Sequence, residues 1–130
     1  RWSGYIPIVR GQKSSHEKAL TQSETVLKNN VSMFFFPEGT RSETTEMRPF
    51  KMGAFKVAAE AGKPILPVVL AGTRDLMRKN SPMPGRAHVV IKILEPTRMQ
   101  PGENYEVFGN RVRSIIEAER NQLRSQYQNK

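Results

Sequence analysis

Residues 36–42 read FPEGTRS, and they gather side chains suited to holding an anion. Phe36-Pro37-Glu38-Gly39 fits a type I turn, with proline at the second position and glycine at the fourth. Gly39 has no Cβ, so a ligand can come close to the backbone there. Thr40 and Ser42 supply hydroxyls, and Arg41 supplies a planar fork that matches a phosphate. Glu38 suits a different task. A carboxylate repels a phosphate, so Glu38 is read as an acceptor for backbone or arginine donors that holds the loop in shape. "PEG" alone describes any strand-ending turn with a solvated arginine nearby. All seven residues in this order point to an anion cradle.

Acid–base chemistry is harder to find. The chain holds two histidines, His16 and His88, and one aspartate, Asp75. His16 falls on a predicted helix among charged neighbours and reads as a surface residue. His88 falls in a predicted strand, where a histidine is more often structural than catalytic. There are no cysteines, which excludes a disulfide framework and a thiolate metal site.

The elements that must carry these residues follow from periodicity and punctuation. The apolar run at 31–36 predicts a buried strand that ends at the turn. Upstream, residues 4–9 (GYIPIV) predict a short edge strand, because Pro7 cannot donate to a ladder. Residues 14–29 predict a helix capped by Ser14 or Ser15, with Ala19, Leu20, Val26 and Leu27 on its apolar face. Residues 37–49 are a loop, and 51–62 a helix that Gly62 and Pro64 bring to an end. A strand over 65–72, a short helix over 73–80, a turn over 81–85 and a strand over 87–96 come next. The chain closes with a long helix over 104–127, capped by Asn104, with Phe108, Val112, Ile115, Ile116, Leu123 and Tyr127 on one stripe. This alternation predicts an α/β fold: a mixed, largely parallel central sheet flanked by helices. In such sheets ligands bind beyond the carboxyl ends of strands, where the 37–49 loop is expected.

The 130 residues suffice for one domain with a core of its own. No apolar stretch is long enough to span a bilayer. The net charge of +9 favours anionic partners: nucleic acid, acidic lipid surfaces, phosphorylated substrates or an acidic carrier protein. The basic residues are dispersed, and aromatics do not interleave with them as a base-stacking platform requires, so no nucleic-acid partner is expected. Arginines 111, 113, 120 and 124 of the last helix could rest on an acidic membrane surface, but a helix packing its apolar stripe on the sheet is the preferred reading.

FPEGTRS resembles the signature of the glycerolipid acyltransferases, in particular the 1-acyl-sn-glycerol-3-phosphate (lysophosphatidate) acyltransferases. Three further segments are similar to family motifs in order and approximate spacing: GYIPIVR (4–10), which ends in Arg10, MRPFKMGAF (47–55), and ILPVV (65–69) with its central Pro67. The resemblance spans residues 4 to about 73. It implies transfer of a fatty acyl group from acyl-CoA or acyl carrier protein to the sn-2 hydroxyl of lysophosphatidate, giving phosphatidate in phospholipid biosynthesis. It implies no cofactor beyond that co-substrate, no metal, and association with a membrane surface, with the active site on its cytoplasmic face. Carried over residue by residue, Arg10 and Arg41 become the phosphate ligands, and Glu38 and Gly39 the glycerophosphate-binding pair. Thr40 and Ser42 line the same site. Lys51 adds charge at the rim or else solvates the start of its helix. Pro67 shapes a strand.

The family's general base is a histidine, oriented by an aspartate five positions later in an Asn-His-x-x-x-x-Asp motif. Five positions after His16 stands Thr21, and five after His88 stands Ile93. The motif precedes the arginine segment in the family, so it is expected before Arg1. On this reading residues 1–130 are a single partial acyltransferase domain, the substrate-binding half, and inactive by themselves. The competing reading is a non-catalytic basic module that binds anionic lipid or nucleic acid.

Overall fold

The computed structural model describes residues 5–9, 11–40, 42, 44, 46–76, 83, 85 and 87–127. Among them the elements run α1 (Lys13–Lys28), α2 (Gly53–Glu60), β1 (Val68–Ala71), α3 (Thr73–Leu76), β2 (Val90–Ile93) and α4 (Tyr105–Tyr127).

Helix α1 contains no glycine or proline, and it buries Ala19 and Ser23, one turn apart on one face. Ser23 can be buried because its Oγ donates to the Ala19 carbonyl at 2.7 Å. Both α1 and α2 end in Schellman motifs. In α1 the left-handed residue is Asn30 (φ 59°), and the Val31 and Asn30 amides donate to the Val26 and Leu27 carbonyls. In α2 it is Gly62 (φ 63°), with the Lys63 and Gly62 amides on the Ala58 and Ala59 carbonyls. The two ends are tied together, since Lys63 Nζ donates to Asn30 Oδ1 at 2.6 Å.

Helix α4 starts where the sequence placed its cap. Asn104 Oδ1 accepts the Glu106 and Val107 amides at 3.0 and 2.9 Å. Ahead of it Glu103 grips Arg111: Nε donates to Oε1 at 2.7 Å and Nη2 to Oε2 at 2.9 Å. Arg111 also reaches Thr97 Oγ1 and the Arg98 carbonyl, and its guanidinium lies 5.2 Å from the Phe108 ring centre. Hydrogen bonds from Arg111 and from the Gln100 amide hold the Glu103 carboxyl below the usual range, and Glu103 holds Arg111 above its own.

The core has two parts joined through Ile116 of α4. One contains Met47, Phe50, Phe55, Phe108 and Val112. Phe55 stacks on Phe50 with ring centres 6.1 Å apart and meets Phe108 edge-on at 5.8 Å. The other seats Val69 and Ala71 of β1 against Leu123. Phe108, Val57, Val69 and Val112 are each under 2 % exposed, which is worth about 1.5–3 kcal/mol apiece for aliphatic or aromatic side chains of this size.

Strands β1 and β2 pair antiparallel, Val68 opposite Ile93 and Leu70 opposite Ile91. Because side chains alternate, one sheet face carries Val69 and Ala71 toward α4. The other carries Val68, Leu70, Ile91 and Ile93, with Ile91 and Ile93 63 % and 65 % exposed.

The α/β class is as expected, with α2 packed on α4 and α4 packed on a small sheet. Its pairing differs: the ladder among the described residues is antiparallel, not largely parallel. The two N-terminal segments expected as strands account for this. Residues 5–9 and 31–36 form no ladder, and the supposedly buried strand exposes Phe34 and Phe36 by 66 % and 69 %. The rings of Phe34 and Phe36 still meet edge-on at 5.1 Å, as alternate residues of an extended chain do. The β-propensity of these residues describes a fit to a pleated surface, and among the described residues no strand pairs with them. The expected serine caps of α1 are also corrected. The helix starts at Lys13 after Gln12, with no side-chain cap, and Ser15 Oγ instead accepts the Val9 amide at 2.8 Å. The short helix ends at Leu76 among the described residues; 77–80 and most of the 81–85 turn lie outside them.

Candidate functional site

Proline, glutamate and glycine close the expected turn: the Gly39 amide donates to the Phe36 carbonyl at 3.0 Å. Gly39 has φ 72° and Glu38 has none of the left-handed backbone, so the turn is not type II. The returning limb of the loop is nailed into the core by Met47 and Phe50, both buried. Between them and the turn run two links. The Lys51 amide donates to the Pro37 carbonyl at 2.8 Å. The Arg48 amide donates to Glu38 Oε2 at 2.9 Å. Glu38 thus takes a backbone donor from the opposite limb, the geometry of a loop organiser.

The same anchoring aims Lys51. Phe50 points inward, and the Lys51 side chain crosses over Gly39, where a Cβ would stand 2.9 Å from both Cε and Nζ. An ammonium group held over an exposed glycine puts positive charge at the tip of the turn, an arrangement an anion can use. Thr40 is exposed beside it. Ser42 is committed to the loop itself: its Oγ donates to the Glu46 carbonyl at 2.9 Å and accepts the Thr44 amide at 3.2 Å. Arg10 and Arg41 lie outside the described residues.

Helix α4 closes the back of the loop, and the sequence reading missed this. Arg113 Nη2 donates to the Met47 carbonyl at 2.9 Å and Nε to the Arg48 carbonyl at 3.3 Å, while Glu117 holds the same guanidinium. Two helical turns beyond Arg113, Arg120 has a buried Nε with no acceptor among the described residues. Burial pushes the Arg120 guanidinium down from its ordinary range, and Arg124 adds to the push, against an opposing pull from Glu117 and Glu38. Arginines 111 and 113, read as candidates for a membrane surface, are instead spent on protein carbonyls and carboxylates. The signal that could have found Arg113 is weak: a basic residue flanking the apolar stripe at Val112 and Ile116.

Neither histidine joins the turn. His16 is exposed on α1, and His88 stacks on Tyr127 of α4 with ring centres 5.3 Å apart. Among the described residues no group of His, Cys, Asp and Glu is placed to hold a metal ion, and no helix is long and apolar enough to cross a membrane. A shallow depression over α1, lined by Ser14, Glu17, Lys18, Thr21 and Gln22, shares no residue with the turn. Pro67 is buried just ahead of β1, and its carbonyl accepts the Leu94 amide at 3.0 Å.

The model of the acyltransferase family matches residues 1–71. A 1-acyl-sn-glycerol-3-phosphate acyltransferase of Chlamydomonas reinhardtii is 39 % identical over 74 % of this chain and 30 % of its own length. The chloroplastic Arabidopsis thaliana enzyme of the same name is 36 % identical over 87 % of this chain and 31 % of its own length. The Haemophilus influenzae enzyme is 34 % identical over 72 % of this chain and 39 % of its own. The chain therefore spans about a third of the curated relatives it matches. In structure it is similar to the 1-acyl-sn-glycerophosphate acyltransferase PlsC of Thermotoga maritima, with a TM-score of 0.77 and 31 % identity over 82 % of this chain and 44 % of that one.

Proposed function

Because this chain belongs to the acyltransferase family, we propose that it forms the acceptor-binding part of a lysophosphatidate acyltransferase. The enzyme moves a fatty acyl group from acyl-CoA or acyl carrier protein to the sn-2 hydroxyl of 1-acylglycerol 3-phosphate, at a membrane surface. The observation that carries the reading is the FPEG turn: Gly39 left-handed, Lys51 laid over it, and Glu38 turned back onto the Arg48 amide.

In this reading the acceptor's phosphate sits against Gly39 and the Lys51 ammonium, and Arg41 and Arg10 complete its charge balance. A guanidinium fork suits the planar pairs of phosphate oxygens, and an ammonium supplies a point charge beside them. Binding the phosphate fixes the distance from the anion to the sn-2 hydroxyl, so the hydroxyl is presented in one place for attack on the thioester carbon. The hydroxyl proton goes to a histidine supplied from outside residues 1–130, the thiol leaves with a proton, and the ester remains. No covalent enzyme intermediate is required. Thr40 lines the site; Ser42 serves by holding the loop.

The test is acyl transfer by the full-length polypeptide with Arg41→Ala and Glu38→Ala. Arg41→Ala is expected to raise the acceptor KM by about tenfold or more, the scale of losing a charge-assisted contact. Glu38→Ala is expected to lose most of the activity. An Arg41→Ala enzyme with unchanged acceptor KM and rate removes Arg41 from the phosphate. Salt-sensitive binding to generic DNA, with no preference for vesicles carrying lysophosphatidate, replaces the whole reading with a basic binding module.

A further inference from the structure

We propose that Arg113 of α4 is a positioning residue for the acceptor site, acting through the Arg48 peptide on the Glu38–Gly39 turn. The inference rests on the acceptor-binding reading of that turn.

Arg48 is held at both of its backbone polar groups. Its amide goes to Glu38 Oε2 at 2.9 Å, and its carbonyl accepts Arg113 Nε at 3.3 Å. A second arm of the same guanidinium holds the Met47 carbonyl at 2.9 Å, so the fork spans two consecutive peptides. Glu117 neutralises the guanidinium from behind, one helical turn along α4. Pro49 follows Arg48 and restricts that residue to extended conformations, so the peptide has little freedom to follow a loosened partner. The chain of contacts therefore runs from Arg113 to Arg48, from Arg48 to Glu38, and from Glu38 to the turn that bears Gly39.

Arg113 touches no part of the turn itself in these contacts, and it lies beyond residues 1–71, which the family model matches. Its fork is needed because two carbonyls must be met at once. A lysine keeps the charge but brings a single point of donation.

The experiment uses the full-length polypeptide with Arg113→Gln and Arg113→Lys, each alone and combined with Glu38→Ala, together with amide hydrogen exchange. Arg113→Gln is expected to raise the KM for 1-acylglycerol 3-phosphate by about tenfold, with kcat within about threefold and the donor KM unchanged, the pattern of a misplaced binding loop. Arg113→Lys is expected to recover less than half of that effect on a logarithmic scale. On a Glu38→Ala background, Arg113→Gln is expected to add nothing, because the link it acts through is already cut. The Arg48 and Gly39 amides are expected to exchange about tenfold faster in Arg113→Gln, while those of α4 keep their rates.

Unchanged acceptor KM, effects that multiply in the double variant, or unchanged exchange at Arg48 would each overturn the proposal. If Arg113→Gln does not fold, Arg113→Lys carries the same comparison. A wild-type enzyme that leaves lysophosphatidate unacylated defeats the functional reading alone. The exchange rates at Arg48 then decide the positioning role by themselves.

Discussion

Lys51 reaches Gly39 because Phe50, its neighbour, is buried and stacked on Phe55, so the lysine is turned outward across the only residue of the turn without a Cβ. Position and charge at this point come from the same three residues, Phe50, Lys51 and Gly39.

Gly39→Ala tests that relationship. The left-handed backbone, at φ 72°, costs an L-residue roughly 1–2 kcal/mol. The new methyl also displaces the lysine, which is cheap in energy because its end is flexible. Unfolding free energy is expected to fall by about 1 kcal/mol, and the acceptor KM to rise by more than that loss explains. Denaturant titration set beside acceptor kinetics checks both. An alanine variant with the folding cost but a normal KM separates Lys51 from the anion.

The pair of Glu103 and Arg111 contributes to the acid side of the stability profile. The folded chain holds the Glu103 carboxyl below its ordinary value of 4.5, through the Arg111 and Gln100 hydrogen bonds. As pH falls, the unfolded chain takes the proton first, so unfolding is favoured. The contribution is fully present above pH 4.5 and is lost as pH drops through the lower, folded value. Glu103→Gln is expected to lower stability at neutral pH and to flatten the decline below it. Urea midpoints followed from neutral pH down to about pH 3 measure this, and parallel curves for the two proteins would count against it.

Helix α4 docks on α2 through Gly109. A Cβ there would lie 2.8 Å from Met52 Sδ and 3.2 Å from Phe55 Cδ2. Gly109→Ala gains up to about 1 kcal/mol in helix propensity and loses about 1–3 kcal/mol to overpacking. The loss wins, and a net destabilisation near 1 kcal/mol is expected because Met52 can bend aside. Phe108→Ala, which empties a site 1 % exposed, is expected to cost about 3–5 kcal/mol. Equilibrium unfolding ranks the two, and a stabilised Gly109→Ala would show that the helices have room to separate.

What was legible in the sequence is what local chemistry decides. Asn104 announces α4, because a cap is satisfied within three residues. Gly62 announces the end of α2, and Pro37 with Gly39 announces the turn. What was not legible depends on distant partners. Phe34 and Phe36 have every property of a sheet residue, but a strand exists only with a neighbour, and residues 31–36 have none in the ladder. Arg113 looks like any arginine on a charged helix until its carbonyl partners, 65 and 66 positions earlier, are brought beside it. The turn could be read from its own residues, but the contact of α4 with the limb that returns from it could not.

The sheet face left uncovered by α4 has a consequence for residues 1–130 handled as an isolated polypeptide. Val68, Leu70, Ile91 and Ile93 make an adhesive strip, while a net charge of +9 makes molecules repel. The repulsion reaches about 10 Å at 0.1 M salt and only about 3 Å at 1 M, whereas the attraction between aliphatic faces gains nothing from low salt. The high-salt buffers commonly chosen to strip nucleic acid from basic proteins would remove the force that keeps these molecules apart, and clear solutions should be sought at low ionic strength.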